Sequence, residues 1–285
     1  ETIGSFTGDS TTAVQLNDNT LTTGADNYAS LQIFSGVLSG TGGLTKTGTG
    51  GQALTGANTY TGDTTVEQGF LHISSSGSIH ADSAIKIAET GLYRVVVLAD
   101  GTGNSAGSRR SQLTSTSGNA IELPAAITAV ASTATSLVDM QWRPRTTAEE
   151  ALHLSSDVLT LSNTLPTVAD AFVLQMAYDS TLPWIAGQET QLVDAGLLFL
   201  VSDTSGSWRN AVFNNSLGSP LWMGDMTAPA DDLTSKLGWY GVDTSGTTPV
   251  AWAVLDYGGS FSVAIPEPGT FALLAAGLLA LIAPR

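Results

Sequence analysis

Small polar residues alternate with single apolar residues through the first hundred positions, in short runs that glycine interrupts. The stretch Gly42–Ile73 is almost without charge and has few residues that favour helices. Short alternating runs between Gly, Asn and Asp are typical of strands that are joined by tight turns. The pattern therefore predicts β-structure for this part of the chain.

An internal echo indicates how these strands are arranged. Thr23–Tyr28 reads TGADNY and Thr55–Tyr60 reads TGANTY, and Gly36–Leu38 and Gly69–Leu71 follow at nearly the same offset. A period of roughly 30 residues predicts stacked units. A β-solenoid fits, with glycines at corners that need a positive φ. An ordinary β-sandwich with repetitive turns is the alternative, and Ser83–Asp100 is a weak third copy.

The second half of the chain has longer apolar runs and clear hairpin signals. Asp203–Gly206 and Asp243–Gly246 each lie between two apolar runs, which is turn chemistry. Ala169–Asp179 reads as a further strand, and Thr147–Glu150 resembles the capping box of a short helix. All 6 tryptophans lie in this half, which predicts a conventional core. We therefore expect an antiparallel β-sandwich.

The last residues differ from everything before them. Gly269–Ala283 is an uncharged run of Ala, Leu and Gly, which favours a helix. Such a helix is roughly 22 Å long, short of a ~30 Å hydrocarbon core, so a buried or interfacial helix competes with a transmembrane helix. Ala272, Ala276 and Ala280 form a stripe that would let another helix approach closely.

The predicted fold class is all-β, with a short N-terminal β-solenoid, an antiparallel β-sandwich and a single C-terminal apolar helix. The predicted boundaries are 1–100 for the solenoid, 101–120 for a linker, 121–263 for the sandwich and 264–285 for the tail. The linker follows from the loop-like composition of Asp100–Asn119.

Charge and cysteine content narrow the function. Only 12% of the 285 residues are charged and the net charge is -15, which disfavours binding to nucleic acid. Cysteine is absent, so disulfides, thiolate metal sites and cysteine nucleophiles are excluded. The chain starts at Glu1 without a signal peptide. A cytosolic start and a mature exported chain both fit, and the missing methionine favours the exported chain.

For each candidate catalytic or metal-binding motif, a structural role of its residues explains the sequence better. Gly103–Gly107 fits G-x-S-x-G, but its flanks are loop-like, whereas a nucleophile elbow needs a strand and a helix. His72, His80 and His153 lack metal-ligand spacing, and His72 reads as an outward-facing strand residue. We therefore predict no catalytic residues, no cofactor and no metal site.

The remaining acidic and basic candidate residues are also expected to have structural roles, in turns and ion pairs. Asn17–Asn19 and Asp231–Asp232 could ligate Ca²⁺ weakly, but turns explain them better. Arg143 and Arg145 share one strand face, where they are expected to pair with carboxylates. With 25 acidic residues, a pair of carboxylates can always be found, so a glycosidase site has no specific signal.

Gly42–Ile73 resembles the autotransporter-associated β-strand repeat over one whole repeat unit. The resemblance implies an exported, passenger-like β-solenoid and no particular activity. The matching positions are Gly42–Gly48, Leu54–Tyr60, Gly62, Thr64–Val66, Gly69 and Leu71.

The C-terminus resembles the PEP-CTERM sorting tail, which joins a Pro-Glu-Pro motif, here Pro266, Glu267 and Pro268, to an apolar helix and a basic end. The resemblance implies export, transient membrane anchoring and processing by an exosortase-type enzyme in bacteria that make exopolysaccharide. Arg285 is a single basic residue where the family has several, and the apolar run is short.

The expected function is that of an exported, non-enzymatic structural protein of the bacterial cell surface or extracellular matrix. Self-assembly into a homo-oligomer or filament is expected, with the tail anchored in the membrane before processing. Two alternatives remain open: an accessory subunit of an envelope membrane complex that is held by its C-terminal helix, and a polysaccharide-binding or polysaccharide-cleaving module.

Overall fold

A computed structural model describes residues 1–74, 77–80, 82–88, 90–97, 113–115, 123–130, 136–162 and 171–265. Strands dominate these residues, which confirms the all-β class. The strands are β1 Ala13–Gln15, β2 Leu21–Thr23, β3 Gln32–Phe34, β4 Val37–Ser39, β5 Leu44–Lys46, β6 Gly51–Leu54, β7 Thr64–Val66, β8 Gly69–Ile73, β9 Ile85–Ile87, β10 Gly91–Val97, β11 Leu113–Ser115, β12 Pro124–Val130, β13 Ser136–Arg143, β14 Val158–Ser162, β15 Phe172–Ala177, β16 Phe199–Asp203, β17 Trp208–Asn210, β18 Leu221–Asp225, β19 Trp239–Asp243, β20 Val250–Leu255 and β21 Gly259–Ala264.

The first half is a β-solenoid, as predicted. Its strands pair in parallel with the strands of the next turn, in the ladders β2-β5-β7-β9-β11 and β3-β6-β8-β10. A third face is formed where β1 pairs in parallel with β4. The weak third copy in Ser83–Asp100 contributes β9 and β10, which continue these ladders.

The predicted period of 30 residues is wrong. Leu21 pairs with Leu44, Leu44 with Thr64, and Thr64 with Ile85, so one turn takes roughly 20 residues. The two copies of the echo therefore lie at different corners. Tyr28 follows β2 and is 55% exposed, whereas Tyr60 follows β6 and is fully buried. The two copies also differ in backbone path, since Gly24 and Asn27 have positive φ whereas Gly56 and Thr59 do not.

Polar side chains inside the solenoid hold its turns together. Asn58 accepts from the Leu38 amide at 3.0 Å and donates to the carbonyls of Gly56 at 2.9 Å and Ser78 at 3.0 Å. Lys46 is 2% exposed and donates to the carbonyls of Thr47, Gly48 and Gln68. These bonds satisfy backbone groups that the corners would otherwise leave buried and unpaired.

The antiparallel half continues the same two sheets. The nine-stranded sheet runs β17-β16-β21-β14-β13-β10-β8-β6-β3, and the ten-stranded sheet runs β18-β19-β20-β15-β12-β11-β9-β7-β5-β2. One core cluster extends from Phe6 in the solenoid to Ile265 at the end of the antiparallel half, and it draws residues from both sheets. The two halves therefore share an interior.

Most local predictions for this half are confirmed. The turns at Asp203 and Asp243 join the antiparallel pairs β16-β17 and β19-β20, and β15 lies within the predicted strand. The helix α1, Thr147–Ala151, is capped one residue earlier than predicted, by Thr146 with Glu149. A second helix, α2 Glu189–Asp194, and a 3₁₀ helix, Ala211–Asn214, were not predicted.

The described residues include one segment, strand β11, that bears on the predicted linker. Strand β11 falls inside the stretch 101–120 that was predicted as a linker, and it pairs with β9 and with β12. The remainder of that stretch, the G-x-S-x-G motif and the tail from Pro266 onward lie outside the described residues. The division into a solenoid and a separate β-sandwich stays a prediction.

Candidate functional site

An open cleft of about 600 Å³ lies on the outer face of the nine-stranded sheet, near its β17 edge. Phe199 and Val201 come from β16, Trp208 from β17, and Phe213 from the 3₁₀ helix that follows. Ile265 directly follows β21. The volume falls in the range of ligand-binding clefts, which are mostly apolar with a few polar groups.

The floor of the cleft is a small apolar cluster that is separate from the main core. Leu154, Val158, Val201 and Ala264 are buried there, and Leu152, Phe199 and Trp208 pack against them. Because strand side chains alternate between faces, β16 sends Leu200 to the main core and Val201 to the cleft. The floor of the cleft is therefore made of buried, packed side chains.

Helix α1 ends next to the cleft and is held in place by an ion pair. Both guanidinium nitrogens of Arg143 donate to Glu149, at 2.7 and 2.6 Å. Burial raises the pKa of Glu149, but hydrogen bonds from Arg143 and Thr146 outweigh this, so the pKa lies below its ordinary value. The predicted pairing of Arg143 and Arg145 with carboxylates is confirmed, since Arg145 lies 3.4 Å from Glu150.

Arg145, His153 and Trp184 form a cluster beside α1. The Arg145 guanidinium sits 5.5 Å from the centre of the Trp184 ring, and the His153 ring lies 5.2 Å from the same ring. Trp184 donates to the Ser155 hydroxyl at 3.0 Å. That hydroxyl donates to the backbone carbonyl of His153 at 3.1 Å, so it has no contact with the imidazole that a serine nucleophile would need.

The polar groups of the cleft are few. Arg209 is the one charged side chain among the described residues that line it. Asn210 is buried, and its side-chain oxygen accepts from the Val212 amide at 3.2 Å, which caps the 3₁₀ helix. The cleft therefore offers apolar contact area and little acid–base chemistry.

The remaining candidate residues have structural roles. Asn17 adopts a φ of 54° in a turn, and Asp231 pairs with Lys236 at 2.6 Å. His80 accepts from the Asp82 amide at 3.2 Å, and His72 lies half-buried on β8. Across the described ranges, no group of three His, Cys, Asp or Glu side chains could hold a metal ion.

The predicted sorting and helix-packing residues are not part of the cleft as described. Pro266, Glu267 and Pro268, and the stripe Ala272, Ala276 and Ala280, lie outside the described residues. Sequence reasoning missed the cleft itself. Its lining comes from chain positions more than a hundred residues apart, so no local motif marks it. An available signal was Trp208, a large aromatic directly after a turn.

Comparison with known proteins places the resemblance on the solenoid. The family described as passenger-associated-transport-repeat matches residues 44–73, which run from the start of β5 to the end of β8. This match bears out the repeat that the sequence suggested. It covers about one and a half turns of the solenoid.

Two curated proteins are similar to parts of the chain. "Adhesin BmaC autotransporter" of Brucella suis is 37% identical over 113 residues, 38% of this chain and 3% of the adhesin. "Extracellular serine protease" of Serratia marcescens is 57% identical over 47 residues, 16% of this chain and 4% of the protease. The chain thus spans only a few per cent of these relatives' lengths.

No solved structure gives a significant match to the chain. Within the described residues, every helix is too short or too polar to cross a lipid bilayer.

Proposed function

We propose that this protein is an exported, non-enzymatic protein of the bacterial cell surface or extracellular matrix. The observation that carries the proposal is the passenger repeat at residues 44–73, which coincides with strands β5 to β8 of the solenoid. Passenger repeats of this type belong to proteins that reach the cell exterior. The partial similarity to an adhesin supports a role in surface attachment.

The absence of catalysis in this proposal is supported by the chemistry of the cleft. The side chains that line the cleft are mostly aliphatic and aromatic. Among the described lining residues, Arg209 is the one with a charged side chain. Acid–base catalysis needs positioned titratable groups, and nucleophilic catalysis needs an activated nucleophile. The protease similarity covers 16% of this chain and 4% of the protease.

The tail completes the proposal. Pro266, Glu267 and Pro268 would be read by an exosortase-type enzyme after the apolar segment has anchored the chain in the membrane. The sandwich-like second half would then be displayed at the surface, with exopolysaccharide as a neighbour. Self-assembly into a homo-oligomer or filament, through close packing at Ala276, is part of the proposal, and an accessory role in an envelope complex is its alternative.

The export proposal is tested by expressing the full chain in an exopolysaccharide-forming bacterium that has an exosortase. We expect the chain in the surface fraction, accessible to external protease. The double variant Pro266→Ala/Pro268→Ala is expected to stay in the membrane fraction, whereas Pro284→Ala, outside the motif, should behave as wild type. A chain that stays in the cytoplasm would refute export, and identical sorting of all three variants would refute only the sorting motif.

The assembly proposal has its own test. Replacing Ala276 by Phe places a bulky side chain on the small-residue stripe, so we expect smaller particles by light scattering and electron microscopy. Thr270→Ser, a conservative change at the start of the tail, serves as the control. Particles of unchanged size in Ala276→Phe would remove the packing argument.

Polysaccharide binding is a second candidate function, favoured by one observation. Tyr28 is 55% exposed on the solenoid, where its ring could stack on a sugar. We expect Tyr28→Ala to weaken co-sedimentation with the producing organism's exopolysaccharide, and Tyr28→Phe to retain it. Equal sedimentation of both variants would exclude Tyr28 as a binding platform.

A further inference from the structure

The cleft presents an apolar surface that nothing in the described residues covers. Phe213 on its rim is 63% exposed, and Phe199 and Trp208 are only partly buried. Apolar area in contact with water costs about 25 cal/mol per Å², and large apolar patches on exported or soluble proteins usually mark a binding partner. An occupant with apolar side chains would remove this cost.

The chain itself supplies such an occupant at the right place. Strand β21 ends at Ala264, and Ile265, which lines the cleft, is the last described residue. The uncharged apolar segment Gly269–Ala283 begins four residues further on. Four residues span at most roughly 14 Å, so the segment starts close to Ile265 and therefore close to the cleft that Ile265 lines.

We propose that the apolar segment Gly269–Ala283 of the same chain docks in this cleft. Apolar side chains of the segment would pack on Phe199, Trp208 and Phe213, over the floor that Val201 and Ala264 provide. The segment is uncharged, and it meets a surface whose charged side chain, Arg209, extends outward and is exposed. The inference does not depend on the proposed export or sorting.

The lining chemistry and the connectivity favour this occupant over others. A sugar would need several hydrogen-bond partners, but the Asn210 oxygen is already used by the Val212 amide. The tail of a second copy offers the same apolar chemistry. However, a short connection holds the chain's own tail at a millimolar effective concentration, which a neighbouring copy in dilute solution does not reach. Docking would keep the segment out of water until a membrane or a protease removes it.

Disulfide trapping in the full chain tests the docking directly, because the chain has no native cysteine. The test pair is Ser207→Cys with Leu274→Cys, and the control pair is Ser245→Cys with Leu274→Cys. Ser207 lines the cleft, whereas Ser245 is an equally exposed turn residue beside the ten-stranded sheet. Under mild oxidation in detergent-free buffer, we expect an intramolecular disulfide to form at least ten-fold faster in the test pair.

Two outcomes of the trapping would overturn the proposal. Equal rates in the two pairs would show that the segment has no preference for the cleft. Disulfide-linked dimers of the test pair would assign the cleft to the tail of a second copy. Loss of the preference only when phosphatidylcholine vesicles are added would still support docking, because it shows that lipid competes for a docked segment.

A second measurement keeps the inference testable if trapping perturbs the tail. The double variant Leu274→Asp/Leu278→Asp changes no described residue and should release the segment. We expect several-fold more binding of 1-anilinonaphthalene-8-sulfonate, an apolar dye, than in wild type. Adding Phe213→Ser on the cleft rim should reverse most of the increase, with circular dichroism confirming the fold. Unchanged dye binding in the double variant would contradict docking.

Discussion

In the solenoid, buried polar side chains connect the backbone of successive turns, whereas the antiparallel half buries two tryptophans, Trp142 and Trp252, a residue type that the solenoid lacks. Asn58, Lys46 and Gln52 are almost fully buried and bond to carbonyls of other turns or of their own corner. Trp142 and Phe172 occupy the same core cluster further along the chain. One pair of sheets is thus stabilised in two ways.

The difference follows from the shape of each half. A solenoid turn is narrow and changes direction between three faces, so it leaves backbone carbonyls of the corners inside, next to buried rings such as Phe34 and Tyr60. Gly42 shows the tight fit, since a Cβ there would lie 1.9 Å from the Asn19 carbonyl oxygen. The antiparallel half has longer strands. The space between its two sheets is filled by large side chains. We therefore expect the solenoid to be sensitive to lost hydrogen bonds and added atoms, and the second half to lost volume.

The largest effects are expected from removing one large ring in each half. Tyr60→Ala and Trp142→Ala should each lower the free energy of unfolding by about 3–5 kcal/mol, because both leave a cavity in the shared core cluster. Tyr28→Ala, at the exposed copy of the same echo, should change it by less than about 0.5 kcal/mol. Urea titration measures all three.

The same titration tests whether the two halves unfold together. All 6 tryptophans lie at or beyond Trp142, so tryptophan fluorescence reports the antiparallel half alone. If the core is shared, Tyr60→Ala should shift the fluorescence transition as much as the circular dichroism transition. A fluorescence midpoint equal to that of wild type would show that the halves unfold independently.

Close packing between turns is tested by a pair of glycines with similar backbone angles. Gly48 has φ 69°, and a Cβ there would lie 2.0 Å from the Gly24 carbonyl oxygen, whereas Gly206 has φ 85° and open space. Gly206→Ala should cost about 1–2 kcal/mol from backbone strain alone. Gly48→Ala adds overpacking and should cost about 3 kcal/mol. Equal costs would mean that the turns can move apart without loss.

The role of buried hydrogen bonds is tested at Asn58. Asn58→Ala leaves the Leu38 amide and the Ser78 carbonyl without this partner, so we expect a loss of about 2 kcal/mol. Asp26 occupies the equivalent position of the first echo copy and accepts from Ser5 at the surface. Asp26→Ala should therefore cost less than about 1 kcal/mol, as measured by thermal unfolding. Similar losses would argue against a special role for buried corner residues.

The smallest effect is expected from the titration of Lys46. Burial lowers the pKa of its amine below the ordinary value of 10.5, and the charge of Asp26 opposes this only in part. Between the folded and the ordinary pKa, the unfolded chain binds more protons, so the stability contributed by Lys46 rises with pH through this window and is constant above it. The stability difference between wild type and Lys46→Met, followed by urea titration from about pH 8 to 11, should rise accordingly.

The matched control is Lys86→Met, at an outward-facing position whose amine pairs with Asp63 at 2.6 Å. A flat profile for Lys46→Met would show that its amine has the same pKa in the folded and the unfolded chain.

Prediction from sequence succeeded where the signal is local. The turns at Asp203 and Asp243, strand β15 and the cap of α1 to within one residue all follow from residues within a few positions of each other. The solenoid was recognised, but its period was wrong because TGADNY and TGANTY lie at different corners with different backbone angles, so their similarity does not mark the structural repeat. α2 has no side-chain cap, so it lacked the usual start signal.

The sequence by itself determined that the chain is all-β, where its tight turns lie and that residues 44–73 form a passenger-type repeat. These properties depend on turn chemistry and alternation, which act over a few residues. Only the tertiary structure decided that Tyr60 is buried while Tyr28 is exposed, and that Phe199, Phe213 and Ile265 meet in one cleft. Register and burial arise from pairing between distant strands, and no local pattern carries that information.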